Sequence, residues 1–362
     1  MPWLREQFPL LEECTYANTP ATGLLSQGLL HWRQAHDEAY FTGGSMMKME
    51  SFELLPGTKQ ALGRFFGCDP ARVALVPNFS LGFNLLLEGL APQSSVLLLE
   101  NEYPSVDWPF GSHGFTVHRV TADEHLESRI LEYLRKHRVD VLALSLVQWV
   151  NGITVSPVFL SQLKKEYPQL LILADGTQYC GALALDFQAS GIDVLGASGY
   201  KWLLGGYGNA FFLFREGVEA HIRPRATGFN ATGGDLSGAP KIPLPKHLEP
   251  GHLDSFNFGS LKYALEQLMG IGMDAVEAHN RQLSAYFREG LEAMGLLETA
   301  VLKRREHGTI FNLRGGEALY DYLEGHKVIC SRRGGGVRLG FHLYNSMEDV
   351  SRVLELLKWR PL

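Results

Sequence analysis

Asp175 and Lys201 are the residues whose types and spacing could do the most specific chemistry in this chain. Asp175 directly follows the apolar run Leu170–Ala174, which is typical of a buried parallel strand. Lys201 follows a second apolar run, Ile192–Ala197, and a short Ser-Gly-Tyr turn. Neighbouring strands of an α/β sheet bring both residues to the carboxyl edge, where open sheets bind ligands. A lysine and a carboxylate at that edge suit pyridoxal phosphate (PLP), the lysine as Schiff base and the carboxylate on the pyridinium nitrogen.

Each of the two residues also has a simpler interpretation. A single lysine after a strand is most often a surface residue that begins a loop, and an aspartate there often caps the next helix. Buried strands and glycines flank Lys201 on both sides, which favours the catalytic interpretation. Covalent attachment and proton transfer both need an amine whose pKa the surroundings can lower, which arginine does not provide. We therefore interpret Lys201 and Asp175 together as a catalytic pair.

Further polar residues lie where they could hold the same cofactor. The segment Pro77–Gly82 follows a strand and opens a predicted helix, Leu81–Leu90, so Phe79 and Ser80 offer the backbone amides and hydroxyl that bind phosphate. Capping of that helix is an equally good role for Ser80. The remaining candidates are two hydroxyls for the phosphate, a donor to the phenolic oxygen and an aromatic ring that stacks, namely Ser198, Tyr200, Gln178 and Tyr103. A turn position for Gln178 and a core position for Tyr103 are the alternatives.

The elements that must position these residues alternate between short apolar strands and amphipathic helices. The predicted strands are Val73–Val76, Ser95–Leu99, Thr116–Val120, Val139–Leu146, Leu170–Ala174, Ile192–Ala197 and Ala210–Phe214. Predicted helices include Glu124–His137, Pro157–Glu166, Leu261–Gly295 with a bend at Gly270 and Gly272, and a last helix from Ser346. Uniformly apolar strands joined by helices predict an α/β fold with a mostly parallel seven-stranded sheet. We place a large domain at 15–255 and a smaller α+β domain at 256–362, together with 1–14.

Composition limits the classes of function. The chain has 362 residues, 45% of them hydrophobic, and a net charge of −6 without basic runs, which argues against nucleic acid as the main partner. No apolar run is long enough to span a membrane, and the first residues do not resemble a signal peptide. The four cysteines show no metal-binding spacing. We expect a cytoplasmic enzyme with reduced thiols and no metal.

The segment from Asp175 to Gly208 resembles the aminotransferase class V family of fold-type I PLP enzymes, which includes cysteine desulfurases, selenocysteine lyases and kynureninases. It is similar to the family pattern Asp-x-x-Gln … Ser-x-His-Lys. The resemblance implies a role for Asp175 on the pyridine nitrogen, Gln178 on the ring oxygen, Ser198 on the phosphate and Lys201 as Schiff base. Tyr200 stands where desulfurases carry histidine, and Glu102–Asp107 resembles a kynureninase segment, which implies that Tyr103 lies on the ring face.

Two more segments extend the resemblance over almost the whole chain. Phe256–Ser260 is similar to a Phe-x-x-Gly-Thr loop that reaches the phosphate of the neighbouring subunit, which implies a homodimer with Ser260 at the shared site. Gly336–Asn345 is similar to the segment whose arginine, here Arg338, grips the substrate carboxylate. Three residues are expected to border the substrate or, as an alternative, to pack: Trp149, Asn151 and Asn18.

The reaction itself depends on residues outside these segments. Desulfurases of this family carry a cysteine on a mobile loop shortly before the carboxylate-binding arginine. Here Cys330 lies in an apolar run, and the following loop reads Arg-Arg-Gly-Gly-Gly. Arg332 or Arg333 could bind a second acidic group, although solvated surface arginines are the commoner case. We predict a PLP enzyme acting on an amino acid by Cα deprotonation, an aminotransferase; the alternatives are a desulfurase-like, selenocysteine lyase-like or kynureninase-like lyase, and a non-catalytic PLP-fold binding protein.

Overall fold

A computed structural model describes residues 2–235 and 241–360 of the chain. Its strands are β1 (Thr15–Tyr16), β2 (Val73–Val76), β3 (Ser95–Leu99), β4 (Thr116–Val120), β5 (Val141–Ser145), β6 (Leu171–Asp175), β7 (Val194–Ser198), β8 (Ala210–Phe214), β9 (Ile310–Leu313), β10 (Val328–Ile329), β11 (Ser331–Arg333) and β12 (Gly336–Gly340). Its helices are α1 (Pro2–Arg5), α2 (Leu10–Glu13), α3 (Gln27–Gly43), α4 (Met47–Phe66), α5 (Phe79–Leu87), α6 (Pro104–Ser112), α7 (Leu126–Lys136), α8 (Pro157–Glu166), α9 (Ser255–Ile271), α10 (Met273–Ala293), α11 (Thr299–Lys303), α12 (Gly316–Gly325) and α13 (Met347–Lys358).

The seven predicted strands form one sheet, in the order β2-β8-β7-β6-β5-β3-β4. Strand β8 runs antiparallel to both of its neighbours, and the other pairs are parallel. Alternate residues of β5 belong to different cores: Leu142 and Leu144 pack on one face of the sheet, and Val141 and Ala143 on the other. Helices cover both faces, which explains why the inner strands are mostly apolar, whereas the edge strand β4 is partly exposed and contains His118 and Arg119. The predicted α/β fold is confirmed.

The helix predictions agree with the structure except at their ends. The predicted helix Leu81–Leu90 begins earlier, at Phe79, because the side chain of Asn78 caps it by accepting from the backbone N–H of Leu81 at 2.9 Å. Asn78, and not Ser80, is therefore the cap of this helix. The long predicted helix Leu261–Gly295 is in fact the pair α9 and α10, separated at Gly272, whose φ of 88° suits glycine.

A three-stranded antiparallel sheet, β11-β12-β9, lies within the predicted small domain; α12 packs on β11 and β12, Phe287 of α10 packs against Phe311 of β9, and α13 packs on α10. Two contacts cross the predicted boundary between the domains, which stays a prediction. Strand β1 pairs in parallel with β10, so Thr15 and Tyr16 contact the C-terminal part of the chain. Helix α9 packs on α3 and α4, which lie beside the large sheet. Over the described ranges, no helix combines the length and the apolar character that crossing a membrane requires.

Candidate active site

A pocket at the carboxyl edge of the large sheet brings most of the predicted site residues together. Asp175 is the last residue of β6 and pairs with Ser145 of β5 and Gly196 of β7, while Lys201 follows the end of β7. The predicted residues that line the pocket are Phe79, Ser80, Tyr103, Trp149, Asp175, Gln178, Ser198, Tyr200 and Lys201. Asn78, Ser105, Ser145, Val147 and Thr177 also line it, although no sequence pattern singled them out.

Lys201 lies deep in this pocket with 6% of its surface exposed. Its Nζ is 5.6 Å from the ring centroid of Tyr103 and 5.6 Å from that of Tyr200. Burial lowers the pKa of Lys201 to about 7; the charges of Arg338 and Arg333 act in the same direction, and Asp175 opposes them. A large fraction of the amine is therefore neutral near pH 7, the state that a nucleophile or a base requires.

Asp175 is a buried carboxylate with no cationic hydrogen-bond partner among residues 2–235 and 241–360. Its Oδ1 accepts from the backbone N–H of Thr177 at 2.8 Å, and Thr177 Oγ1 accepts from the N–H of Ser198 at 3.1 Å. Burial raises the pKa of Asp175, while hydrogen bonds from Thr177 and the charge of Lys201 act against that rise. A protonated ring nitrogen beside it would favour the ionised form, so the residue fits the predicted pyridinium partner.

The side-chain amide of Gln178 is oriented by two hydrogen bonds. Its oxygen already accepts one of them, and its nitrogen can still donate into the pocket. Its Oε1 accepts from Trp202 Nε1 at 2.7 Å, and its Nε2 donates one hydrogen to the carbonyl of Pro20 at 2.9 Å. The carbonyl of Trp202 in turn accepts from His342 Nε2 at 2.8 Å. Burial lowers the pKa of His342 to about 3, so that this histidine is neutral. The second hydrogen of Gln178 Nε2 remains for a ligand oxygen, as predicted for the phenolic oxygen of PLP.

The amino terminus of α5 forms the end of the pocket that suits a phosphate. Phe79 and Ser80 occupy its first turn, where backbone N–H groups have no acceptor within the helix. Ser80 Oγ donates to Ser105 Oγ at 2.7 Å, which places a second hydroxyl beside it. Free amides at a helix start together with two hydroxyls are a normal anion site. The residues present therefore fit the phosphate group of PLP.

Arg338 approaches the pocket from β12 of the small domain. It is 3% exposed, and its Nη1 donates to the carbonyl of Trp149 at 2.7 Å. Its Nε is buried and has no hydrogen-bond partner within the part of the chain that the structure describes. Burial, followed by the charge of Arg333, lowers the pKa of Arg338 to about 10, so the guanidinium remains charged at neutral pH. A buried cation with an unused donor is costly unless an anion binds it, which fits the predicted carboxylate-binding role.

Arg338 reaches the pocket through the carbonyl of Trp149 without lining it, and three further predicted residues do not line it either. Ser260 lies inside α9 with no exposed surface; its hydroxyl donates to the carbonyl of Phe256 at 2.7 Å and accepts from Arg33 Nε at 2.9 Å. Asn151 uses its Oδ1 to accept from the N–H of Ile153 at 3.3 Å within its own turn. Asn18 forms a β-bridge with Gly340, and its Oδ1 is buried without a partner. Their predicted roles toward substrate and partner subunit stay predictions.

Glu102, which was not predicted as a site residue, supports the base of the pocket. This carboxylate is 4% exposed and accepts four hydrogen bonds: from Ser145 N–H at 2.8 Å, Ser145 Oγ at 2.6 Å, Gln148 Nε2 at 3.0 Å and the N–H of Tyr103 at 3.2 Å. Burial raises the pKa of Glu102 to about 7, although the hydrogen bonds from these donors favour the anion and act in the opposite direction. Glu102 thus ties the end of β5 to the start of α6, where Tyr103 lies.

The low pKa of Lys201 can be measured on the protein without cofactor. In competitive labelling with trace acetic anhydride, the reactivity of Lys201 should rise with pH around a midpoint near 7, whereas an ordinary lysine titrates at about 10.4. Arg338→Gln removes a positive charge that disfavours the protonated amine, so the midpoint should move to higher pH. Mass spectrometry of the Lys201 peptide gives both values. A midpoint above about 9, or one that Arg338→Gln leaves in place, would contradict this assignment.

The same fold and family are found by comparison with known proteins. The sequence model described as "Aminotransferase class-V" matches residues 33–353. An uncharacterized aminotransferase, YcbU, of Bacillus subtilis is 23% identical over 97% of this chain and 95% of its own length. A probable cysteine desulfurase of Pyrococcus abyssi is 21% identical over 98% of this chain and 96% of its own length.

A solved structure of similar shape is a mutant of C-DES with glycine covalently linked to the PLP cofactor. It has a TM-score of 0.87 and 20% identity, and the match covers 99% of both chains. This likeness supports the fold. Class-V aminotransferases are PLP-dependent enzymes, so the cofactor predicted from Lys201 and Asp175 is confirmed at the level of the family. The chain belongs to the aminotransferase class-V family.

Proposed function

We propose that this chain is an aminotransferase that removes the Cα proton of an amino acid, with PLP as its cofactor. The observation that carries the proposal is the burial of Lys201 in the same pocket as Asp175, with Arg338 near enough for its charge to lower the pKa of the lysine. When bound, PLP supplies an electron sink for the pair of electrons left at Cα. The protein has to bind the substrate, orient it and move the proton.

Each of these tasks has a residue with suitable surroundings. Arg338 has an unused buried donor with which to hold the substrate α-carboxylate. Lys201 offers an amine near the midpoint of its titration, which suits both removal and return of a proton. Asp175 favours a protonated ring nitrogen, and the start of α5 holds the phosphate. Tyr103 packs edge to face against Trp149 at 5.5 Å between ring centroids, which fixes the ring that is to stack on the cofactor.

Transamination is favoured over sulfur transfer by the segment that precedes Arg338. Strands β11 and β12 are joined by only Gly334 and Gly335, whose φ values of 55° and 78° are those of a tight hairpin turn. This turn carries no thiol. Cys330 lies before the hairpin, is 6% exposed, and has a pKa that burial raises to about 12. A thiol in that state is a poor nucleophile, so we do not assign a persulfide step to it.

A homodimer is part of the proposal, because α3, α4 and the turn between them expose many large apolar side chains. Five of them are more than half exposed: Tyr40 at 62%, Phe41 at 90%, Met46 at 68%, Met49 at 60% and Phe52 at 61%. Patches of this kind mark interaction surfaces. Whether Ser260 then reaches the phosphate of a partner subunit, and whether the enzyme is cytoplasmic, stay predictions.

The test of the reaction type is incubation of the holoenzyme with a panel of amino acids and no keto-acid acceptor. An aminotransferase should release one equivalent of keto acid per site, with conversion of the cofactor to its pyridoxamine form, and should turn over only after an acceptor is added. Continuous release of ammonia, alanine or sulfide would instead show a lyase. A protein whose absorption spectrum no amino acid changes would be a binding protein, and the proposal would be wrong.

A further inference from the structure

The β-hairpin β11–β12 presents a second arginine, Arg333, on the same face as Arg338. In this antiparallel pair Ser331 lies opposite Arg338, and Arg333 lies opposite Gly336. Side chains alternate along a strand, so Ser331 and Arg333 point to one face. Arg338 is paired with Ser331 and therefore points to that face as well. Two guanidinium groups of neighbouring strands thus extend from the hairpin toward the same side.

That side is the one that faces the pocket. Arg338 reaches the carbonyl of Trp149, which lines the pocket. The tip of the hairpin packs against Val150, the residue after Trp149. A Cβ atom built on Gly334 would lie 2.5 Å from Val150 Cγ1. The turn at Gly334 and Gly335 therefore sits close to the rim formed by Trp149 and Val150. Arg333, which directly precedes the turn, is held at that rim.

The neighbouring arginine, Arg332, shows the opposite situation. It points to the other face of the hairpin, where its Nη1 donates to Glu317 Oε1 at 2.6 Å and its Cζ lies 6.0 Å from the ring centroid of Tyr320. Arg333 contacts no carboxylate among residues 2–235 and 241–360; its Nη1 donates to the carbonyl of Arg332 at 2.7 Å. One arginine is thus used by the fold, and the other has its charge available at the pocket.

The site has an excess of positive charge, which an amino acid with an uncharged side chain would leave partly unbalanced. Burial is the main cause of the lowered pKa values of Lys201 and Arg338, and the charge of Arg333 lowers both further. Arg333 is therefore close enough to both residues for its charge to affect them. A substrate with only an α-carboxylate is held by Arg338 alone. A second carboxylate on the side chain would find a fork of donors in Arg333.

We propose that Arg333 binds a carboxylate on the substrate side chain, so that the amino donor or its keto-acid partner is dicarboxylic. This inference rests on the proposed transamination. It assigns Arg333 as a specificity-determining residue, and it predicts that aspartate or glutamate is preferred to the isosteric amides asparagine and glutamine.

The experiment compares Arg333→Gln with Arg332→Gln in the holoenzyme. Loss of a charge-assisted hydrogen bond at the rim should raise KM for the acidic amino acid about tenfold to a hundredfold, with kcat little changed. KM for the corresponding amide should not change. Arg332→Gln removes an identical charge from the next position and should alter neither value. Melting temperatures of both variants check that the hairpin is intact.

A binding measurement decides the question independently of turnover. By calorimetry on the holoenzyme, glutarate should bind more tightly than its monoamide glutaramate, and Arg333→Gln should abolish that preference. Equal affinity for the two compounds, or a preference that Arg333→Gln leaves intact, would overturn the proposal. If no amino acid of the panel reacts but glutarate is still preferred through Arg333, the proposed reaction is wrong and the anion site stands. If the enzyme turns over neutral amino acids and no acidic ones, the proposed reaction stands and the role assigned to Arg333 is wrong.

Discussion

Replacing Lys201 by alanine is expected to lower the transamination rate by about 10²- to 10⁴-fold, the usual contribution of a positioned acid or base. The variant loses the one buried amine that the pocket holds near its titration midpoint. It should also lose the PLP that borohydride traps on the wild-type chain. The measurements are the single-turnover rate with the best substrate and mass spectrometry of the reduced protein.

The control for this variant is Lys165→Ala, which removes an exposed lysine of α8 and should change neither measurement. A small amine such as ethylamine can enter the space left by the missing side chain, so it should restore part of the lost rate of Lys201→Ala. A variant that retains the wild-type rate, or that still yields a borohydride-trapped cofactor on another lysine, would show that Lys201 has been wrongly assigned.

The second large effect is expected on stability. Glu102→Gln should lower the free energy of unfolding by about 2–4 kcal/mol, because an amide nitrogen would then face donors that now meet a carboxylate oxygen. The four donors come from Ser145, Gln148 and Tyr103, and all of them would have to share one acceptor. Urea unfolding of the holoprotein at pH 6 measures the change. Because burial raises the pKa of Glu102 to about 7, its charge costs stability at higher pH, and the difference from Glu102→Gln should shrink by pH 8.

Glu100→Gln is the matched control, since Glu100 lies two residues away and is exposed. It should alter the free energy of unfolding by no more than about 0.5 kcal/mol, as is usual for surface positions. Equal stabilities of Glu102→Gln and Glu100→Gln would mean that Glu102 does not support the pocket in the way described. A loss of stability should be accompanied by weaker PLP binding, because Glu102 also holds the backbone of Tyr103.

The sequence predicts a site residue correctly when one strand and the residue that follows it are enough to place that residue in the fold. Uniform apolar runs identify the strands of the sheet, and the polar residues that directly follow them, such as Asp175, lie at the edge by the geometry of parallel pairing. Ser145 and Thr177 could not be found in this way. Their place in the pocket depends on which strand lies beside which, here the pairing of Ser145 with Asp175, and on a local bond between Thr177 and Ser198.

Two other features escaped prediction for a different reason. Helices α3 and α4 lie outside the predicted elements: in α3 only Leu29 is buried, so no apolar stripe of helical period faces the core. The partners of β1 are more than 300 residues away in the chain, a separation over which sequence pattern carries no pairing information. The role predicted for Ser260 involves a second subunit and stays a prediction.

The pairing of β1 with β10 has a consequence for how the protein acquires its activity. Thr15 and Tyr16 must wait for Val328 and Ile329, which the ribosome adds more than 300 residues later. Domains generally fold as units while the chain emerges, so the large sheet can form first. The carbonyl of Pro20 that holds Gln178, and the guanidinium of Arg338, come into place only afterwards. Nascent chains cut short before β12 should therefore be folded in part yet inactive, and a working site should form only after β12 has been synthesised.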